Sequence, residues 1–497
     1  MLRKVRIALA TLFFLSILWL FLDFTGTAQQ WVGWMAKIQF LPAVLALNVG
    51  IIIGLLALTL ALGRVYCSVI CPLGVMQDIF AWFGRKAKKN RYNYSPAKSW
   101  LRYAVLAVFI VLIVLGIGSA VALLAPYSAF GRICQTLLQP LWIWGNNLLA
   151  MIAEKVDSYA FYREEVWMRS WPVAIVAIVT LVALFILAWR NGRTYCNTIC
   201  PVGTVLGFVS RFSLLKPVID TSKCNGCKLC ARNCKAACIN PEKHEIDYSR
   251  CVDCMDCINK CRQGAISYTI ALPKKKAKAD ASPASETPAD QDRRAFILTS
   301  SAVLATAAVE SQAKKVDGGL AVIAEKKVPR RHTKIVPPGS LSIKNLEDHC
   351  TGCQLCVSEC PNGVLRPSGG IVTFMQPEAS YERGYCRPEC TRCADVCPTG
   401  AIRPITKEEK TAIQIGHAVW IRCNCIPLHS DDTCGACANH CPTGAIQMVP
   451  LMHKGKEVMA PAVNEELCIG CGACENLCPA RPFSAIYVEG HEVHREI

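Results

Sequence analysis

The chain has 497 residues, of which 52% are hydrophobic, with a formal charge of +17 and 31 cysteines. That length has room for two or three domains, and several long apolar runs exclude a purely water-soluble protein. Most of the cysteines fall in tight C-x2-C-x2-C-x3-C groups, a regularity that suits metal clusters and not a disulfide scaffold.

Four apolar runs in residues 1–215 are long enough to span a bilayer: about 7–24, 39–62, 102–125 and 171–189. The first is too long for a signal peptide and lacks a cleavage site, so it reads as an anchor. Arg3, Lys4 and Arg6 precede the first run. Arg64, Arg85, Lys86, Lys88, Lys89, Arg91 and Lys98 lie between the second and third, and Arg190, Arg193, Arg211 and Lys216 follow the fourth. The other loops are poorer in cations, so both ends of this half are expected in the cytoplasm. Trp31, Trp34, Trp171 and Trp189 fall near span ends, as interfacial anchors do.

A repeat follows the second and fourth runs. Gly63-Arg64-Val65-Tyr66-Cys67-Ser68-Val69-Ile70-Cys71-Pro72-Leu73-Gly74 recurs as Gly192-Arg193-Thr194-Tyr195-Cys196-Asn197-Thr198-Ile199-Cys200-Pro201-Val202-Gly203, with eight of twelve positions identical. In a helix each copy sets two thiols one turn apart. Two copies could give Cys67, Cys71, Cys196 and Cys200 to one redox or metal centre; the plainer reading is small residues packing a helix hairpin. No His precedes His244 and no C-x2-C-H occurs, which excludes a bis-His haem in this half and gives no sign of covalent haem. The central parts of the spans lack charged residues, which disfavours an ion channel. The loop from Pro126 to Arg169, with Arg132, Cys134 and Gln135, could border a quinone pocket, although a solvated loop is the simpler reading and the quinone site stays unknown. Cys134 reads as structural.

Residues 216–271 carry Cys224, Cys227, Cys230 and Cys234, then Cys251, Cys254, Cys257 and Cys261. In this bacterial two-cluster pattern the fourth Cys of each group ligates the other cluster. One [4Fe–4S] cluster then takes Cys224, Cys227, Cys230 and Cys261, and the other takes Cys251, Cys254, Cys257 and Cys234. Lys235 and Arg262 replace the usual Pro, and Cys238 is a surplus thiol.

Residues 272–345 read as a linker. Pro273 to Asp292 is rich in Pro, Ala and charge without apolar period. Arg293-Arg294-Ala295-Phe296-Ile297 then precedes a weakly apolar run to Val309. The pair resembles a twin-arginine export signal, which carries folded, cofactor-loaded proteins. Whether residues 293–309 are cleaved, span the membrane or form a linker helix stays open.

Residues 346–497 hold four further groups: Cys350, Cys353, Cys356 and Cys360; Cys386, Cys390, Cys393 and Cys397; Cys425, Cys434, Cys437 and Cys441; Cys468, Cys471, Cys474 and Cys478. Cys423 competes with Cys425, which is preferred because its loop is shorter. Six groups use 24 cysteines and leave Cys67, Cys71, Cys134, Cys196, Cys200, Cys238 and Cys423. Six [4Fe–4S] clusters at roughly −2 each would bring the net charge to about +5, so the basic excess gives no case for nucleic acid. The predicted fold is an α-helical membrane domain with four transmembrane helices plus two α+β bacterial-type polyferredoxin domains.

With its four spans, two C-x3-C-P sites and two-cluster tail, the N-terminal part resembles the NapH-type membrane ferredoxins of quinol dehydrogenases. Residues 293–497, with the twin-arginine start and altered spacing of the middle cysteine groups, resemble the NapG-type exported four-cluster ferredoxins. The resemblance implies a multi-pass protein of the bacterial inner membrane in an anaerobic respiratory chain. It would pass electrons from menaquinol or ubiquinol to a periplasmic cytochrome or reductase, with the first ferredoxin domain cytoplasmic and the second periplasmic. It also implies that outer groups share cubes (Cys350, Cys353, Cys356 with Cys478; Cys468, Cys471, Cys474 with Cys360). Inner groups would do likewise (Cys386, Cys390, Cys393 with Cys441; Cys425, Cys434, Cys437 with Cys397). The alternatives are a polyferredoxin that assembles or reactivates a metalloenzyme, with both modules in the cytoplasm, and a scaffold with structural clusters. No nucleophile–base pair, phosphate loop or flavin signature argues for catalysis of its own.

Overall fold

The computed structural model describes residues 2–88, 92–270, 324–430 and 432–497. Arg293-Arg294 and the apolar run after them lie outside these residues. The first and fourth runs form helices α1 (Leu2–Leu22) and, further on, Trp171–Asn191; these two are long and apolar enough to cross a membrane.

The second run is not one helix. Phe40–Leu45 stops, Leu47 turns through φ +50°, and the Asn48 side chain caps α2 (Val49–Leu62) by accepting from the Ile51 N–H. Fourteen residues of α2 rise only about 21 Å, short of a hydrocarbon core of about 30 Å. After α2 comes α3 (Pro72–Lys88), entered by a π-turn at Tyr66–Ile70. The third run also breaks, into α4 (Ser99–Val114) and α5 (Gly118–Leu124), with Gly116 between them at φ +69°. A side chain at Gly116 would come 2.4 Å from the Asp348 carboxylate, so this break is also a point of close approach for the C-terminal module.

The segment after α5 bends by 82° and continues as α6 (Pro126–Ile133), a π-turn and α7 (Gln139–Glu154). The expectation of a solvated loop fails at its start: every residue of α6 is buried, as are Cys134 and Gln135. Phe130 packs on Phe14 and Phe21 of α1, and the Arg132 guanidinium donates to the Ala122 carbonyl. The apolar half of this loop is bundle core.

α8 (Trp171–Asn191) starts with Pro172 in its first turn, where the missing N–H costs nothing, and ends at Gly192 with φ +69°. α2 ends in the same way at Gly63, φ +71°. α3 and α9 (Pro201–Val209) each open on the repeat's proline.

In the first ferredoxin module β1 (Leu215–Ile219) pairs antiparallel with β2 (Ile266–Ile270). In the second, β3 (Ile413–Trp420) pairs with the C-terminal strand Ile486–Glu496, and β4 (Ile446–His453) forms a hairpin with β5 (Lys456–Val463). Residues before 346 join this second module. Ile335 and Val336 are buried in its core, and Arg331 forms an ion pair with Glu475 at 2.5 Å. The module therefore takes in residues that the sequence assigns to the linker.

The modules pack on opposite ends of the helices. At one end of α1, Arg3 meets Asp256 of the first module at 2.6 Å; at the other, Gly26 lies against Arg392 of the second. α4 has Arg102 on the Ser249 carbonyl, and just beyond it Gly116 faces Asp348. α8 begins with Pro172 beside Gly369, and after it the Arg193 N–H donates to the Lys235 carbonyl.

Candidate iron–sulfur centres and the four-cysteine site

In each ferredoxin group the third cysteine sits in a one-turn helix and the fourth follows it, and a residue in the left-handed region turns several of the loops before these helices: Lys228, Met255, Gln354 and Gly472. Such turns expose successive backbone N–H groups, a concavity that suits anionic clusters. Cys224, Cys227, Cys230 and Cys261 line one cavity, as expected. Cys234, Cys251, Cys254 and Cys257 line a second together with the surplus Cys238, whose sulfur lies 3.5 Å from that of Cys234.

In the second module the outer–outer and inner–inner grouping fails. Cys386, Cys390 and Cys393 share a cavity with Cys360, not Cys441. Cys425, Cys434 and Cys437 share one with Cys478, not Cys397. Cys397 instead lies within electrostatic reach of Cys350, Cys353 and Cys356, and Cys441 within reach of Cys468 and Cys471. Consecutive groups therefore exchange their fourth cysteines, as in the first module. The physical reason is local: the one-turn helix that carries the third cysteine of each group ends beside the neighbouring group in sequence. Cys425 lines its cavity while Cys423 is exposed, in line with the preference for Cys425. Among the described residues no three His, Cys, Asp or Glu side chains converge closely enough for a single metal ion. The cysteines instead stand apart around cavities, which fits the demand of a four-iron cube.

The repeat cysteines Cys67, Cys71, Cys196 and Cys200 are all buried and lie within mutual electrostatic reach. An approximate two-fold relation governs their surroundings. The Arg64 guanidinium donates to the Cys196 carbonyl at 3.3 Å and approaches the Cys67 sulfur at 3.7 Å. The Arg193 guanidinium donates to the Cys67 carbonyl at 2.7 Å and approaches the Cys196 sulfur at 3.9 Å. Each arginine thus ties its own repeat to the other. A side chain at Gly74 or Gly203 would come 2.3 Å from the Cys67 or Cys196 carbonyl of its own repeat, so glycine lets α3 and α9 each pack against the turn that carries those cysteines. The Cys200 sulfur accepts from the Gly203 N–H and the Cys196 sulfur from the Gln77 amide, each at 3.3 Å. The sequence marked Arg64 and Arg193 only as positive-inside charges. Their identical place beside the repeat's cysteines was the signal of a role at the site.

Both arginines have no exposed surface. Two buried guanidiniums beside four thiols suit a centre of about −2, the charge of a four-thiolate [4Fe–4S] cluster. Asp78 of α3 anchors this arrangement through Arg193 at 2.7 Å, Arg6 at 2.9 Å and Lys235 at 3.2 Å. Burial alone would raise its carboxyl, but the charges of Arg193, Lys235 and Arg6 hold it far below the usual carboxylate range. Lys235, one of the departures from the usual Pro, is therefore the strut that joins the first module to the bundle.

Comparison with known proteins agrees with this chemistry. Residues 45–91 and 173–219, the two repeats with their flanking helices, each match the family model of a 4Fe-4S binding domain. Residues 349–402 and 432–481 match 4Fe-4S dicluster domains, as does 247–364. The protein is an iron–sulfur protein with several [4Fe–4S] clusters. It is similar to the ferredoxin-type protein NapH of Escherichia coli K12, 27% identical over 205 residues, which are 41% of this chain and 56% of that protein. It is also similar to the methylamine utilization ferredoxin-type protein MauN of Paracoccus denitrificans, 28% over 204 residues (40% and 56%). YccM of Escherichia coli K12 is 25% identical over 201 residues (39% and 47%). The chain thus spans about half the length of these relatives. No solved structure matches.

Proposed function

We propose that this protein is a membrane-bound iron–sulfur electron-transfer protein that takes electrons from the quinol pool on the cytoplasmic side and delivers them to a periplasmic cytochrome or reductase. One observation carries the reading: the two ferredoxin modules dock at opposite ends of one helical bundle, with a buried four-cysteine site in the bundle between them. The relatives add to it, since YccM is named for electron transport and NapH and MauN as ferredoxin-type proteins. When bound, [4Fe–4S] clusters supply single-electron transfer; the chain's residues hold and space them. Cys67, Cys71, Cys196 and Cys200 would hold one more cluster, with Arg64 and Arg193 offsetting its charge.

The cube of Cys234, Cys251, Cys254 and Cys257 faces the bundle on the first side, since Lys235 and Asp253 make the docking contacts. On the second side it is the cube of Cys350, Cys353, Cys356 and Cys397, because Gly131 of α6 abuts the Cys353 carbonyl. The C-terminal half, in this reading, is the NapG-type exported module, and Arg293-Arg294 begins the segment that takes the chain across. A reporter fused after Ile497 tests this. Activity only outside the cytoplasm, lost without the twin-arginine pathway, is expected; cytoplasmic activity would leave the polyferredoxin reading with both modules on one side.

A further inference from the structure

The largest cavity described in the molecule, about 430 Å³, lies between α1 and α3, a size suited to a small organic ligand. Its walls divide sharply. Leu15, Ile79, Trp82 and Phe83 line it, and all are exposed on the apolar flank of the bundle, where lipid would lie. Its polar wall carries Arg3, Arg6, Asp78, Arg85, Lys235 and Asp256, with Asp78 and Arg6 paired at 2.9 Å. The Arg6 Nε is buried and has no hydrogen-bond partner among the described residues, so a donor is left free beside the carboxylate.

This wall is one residue from the four-cysteine site. Asp78 accepts from Arg193 at 2.7 Å, and Arg193 approaches the Cys196 sulfur at 3.9 Å. Resting on the quinol reading above, we infer that this cavity receives the ring of a lipid-soluble quinol or quinone. The ring enters between Trp82 and Leu15, its oxygen meets Arg6 and Asp78, and its isoprenoid tail stays in the bilayer. A phospholipid headgroup suits the cavity less well. Of the four cations that line it, Arg6 and Lys235 are already held by Asp78 and Arg3 and Lys235 by Asp256, while Arg85 has no ion pair among the described residues.

The test uses the full chain in lipid nanodiscs with a photoreactive azido-naphthoquinone, followed by peptide mapping. Label is expected on the peptides of Thr11 and of Trp82-Phe83, competed by a naphthoquinol. Thr11→Trp, which fills the cavity, is expected to cut labelling by about tenfold or more while iron and sulfide content stay constant. Ile79→Trp tests the opposite wall if the first variant fails to assemble. Saturable label elsewhere, with quinol still reducing the clusters, overturns this site and leaves the quinol reading standing. Label displaced by anionic phospholipid but not by naphthoquinol makes this a lipid site and overturns the inference. No saturable label and no reduction by quinol overturn both.

Discussion

The two ferredoxin modules attach to the same helices by different physics. The first is held by buried charge: Asp78 and Asp256 share Lys235, Arg3 reaches across from α1 to Asp256, and the Arg64 N–H donates to Asp253 at 2.8 Å. The second is held by close backbone approach. Gly118 faces the Glu347 carbonyl, Gly131 faces that of Cys353, and the Gln139 amide donates to the Ser358 carbonyl at 3.3 Å. Its interface also leaves polar atoms of Tyr127, Gln354 and Glu359 without partners among the described residues. A module that follows its last helix directly can use ion pairs that form as the chain folds. A module joined through a long intervening segment is fitted by shape to a finished surface. Its charged contacts make the first attachment sensitive to acid, although Gly192 and Gly207 also approach its backbone closely, and the second is sensitive to volume added at Gly118 or Gly131.

The strongest test separates the modules electronically. Cys67→Ser or Cys196→Ser should abolish electron flow between them while the ferredoxin clusters remain, and iron should fall from about 28 to about 24 per chain. Unchanged flow with unchanged iron would return the repeat cysteines to a packing role.

Next comes the charged attachment. Asp78→Asn leaves Arg193, Arg6 and Lys235 buried without their carboxylate and should cost about 3–5 kcal/mol. Limited proteolysis should then release the first module alone. The pH dependence has a definite sign. The folded-state pKa of Asp78 lies below its ordinary value of 3.8, so its contribution is complete above that value and is lost as pH falls below about 4. Asp78→Asn should remove this acid sensitivity, and a persisting acid transition would place its origin elsewhere.

Gly131→Ala probes the second attachment, since its methyl would meet the Cys353 carbonyl at 2.2 Å. It should cost about 1–3 kcal/mol and loosen only the second module in hydrogen exchange. Loosening of the first module as well would mean that the two attachments are coupled. The smallest effect belongs to the exposed pair Arg383–Glu165: Glu165→Ala should change stability by less than about 1 kcal/mol in thermal unfolding.

The cysteine spacing made several [4Fe–4S] clusters legible, because a loop that wraps a cube is short and local. Which cysteine completes which cube depends on where the following helix ends, and there the family resemblance misled for Cys360, Cys397, Cys441 and Cys478. Hydropathy located α1 and α8 but merged α4 with α5, since averaging over an apolar run passes over Gly116 and Gly118, where the helix breaks. The repeat announced the four-cysteine site. Asp78 was invisible because nothing local distinguishes it: its partners come from α1, the second repeat and the first module.

The repeat has a consequence for descent. One copy brings two thiols and one arginine, and each arginine completes its contacts only on the other copy. A single unduplicated hairpin would have to pair with a second molecule to build the four-thiol site. Duplication within one chain removes that need, and it frees the two flanks to differ. Where the first copy carries Asp78 beside the cavity, the corresponding position of the second is Gly207, pressed against the Ser249 carbonyl of the first module. One flank opens on the cavity and the other is closed by a ferredoxin, a division of labour that two identical halves could not reach.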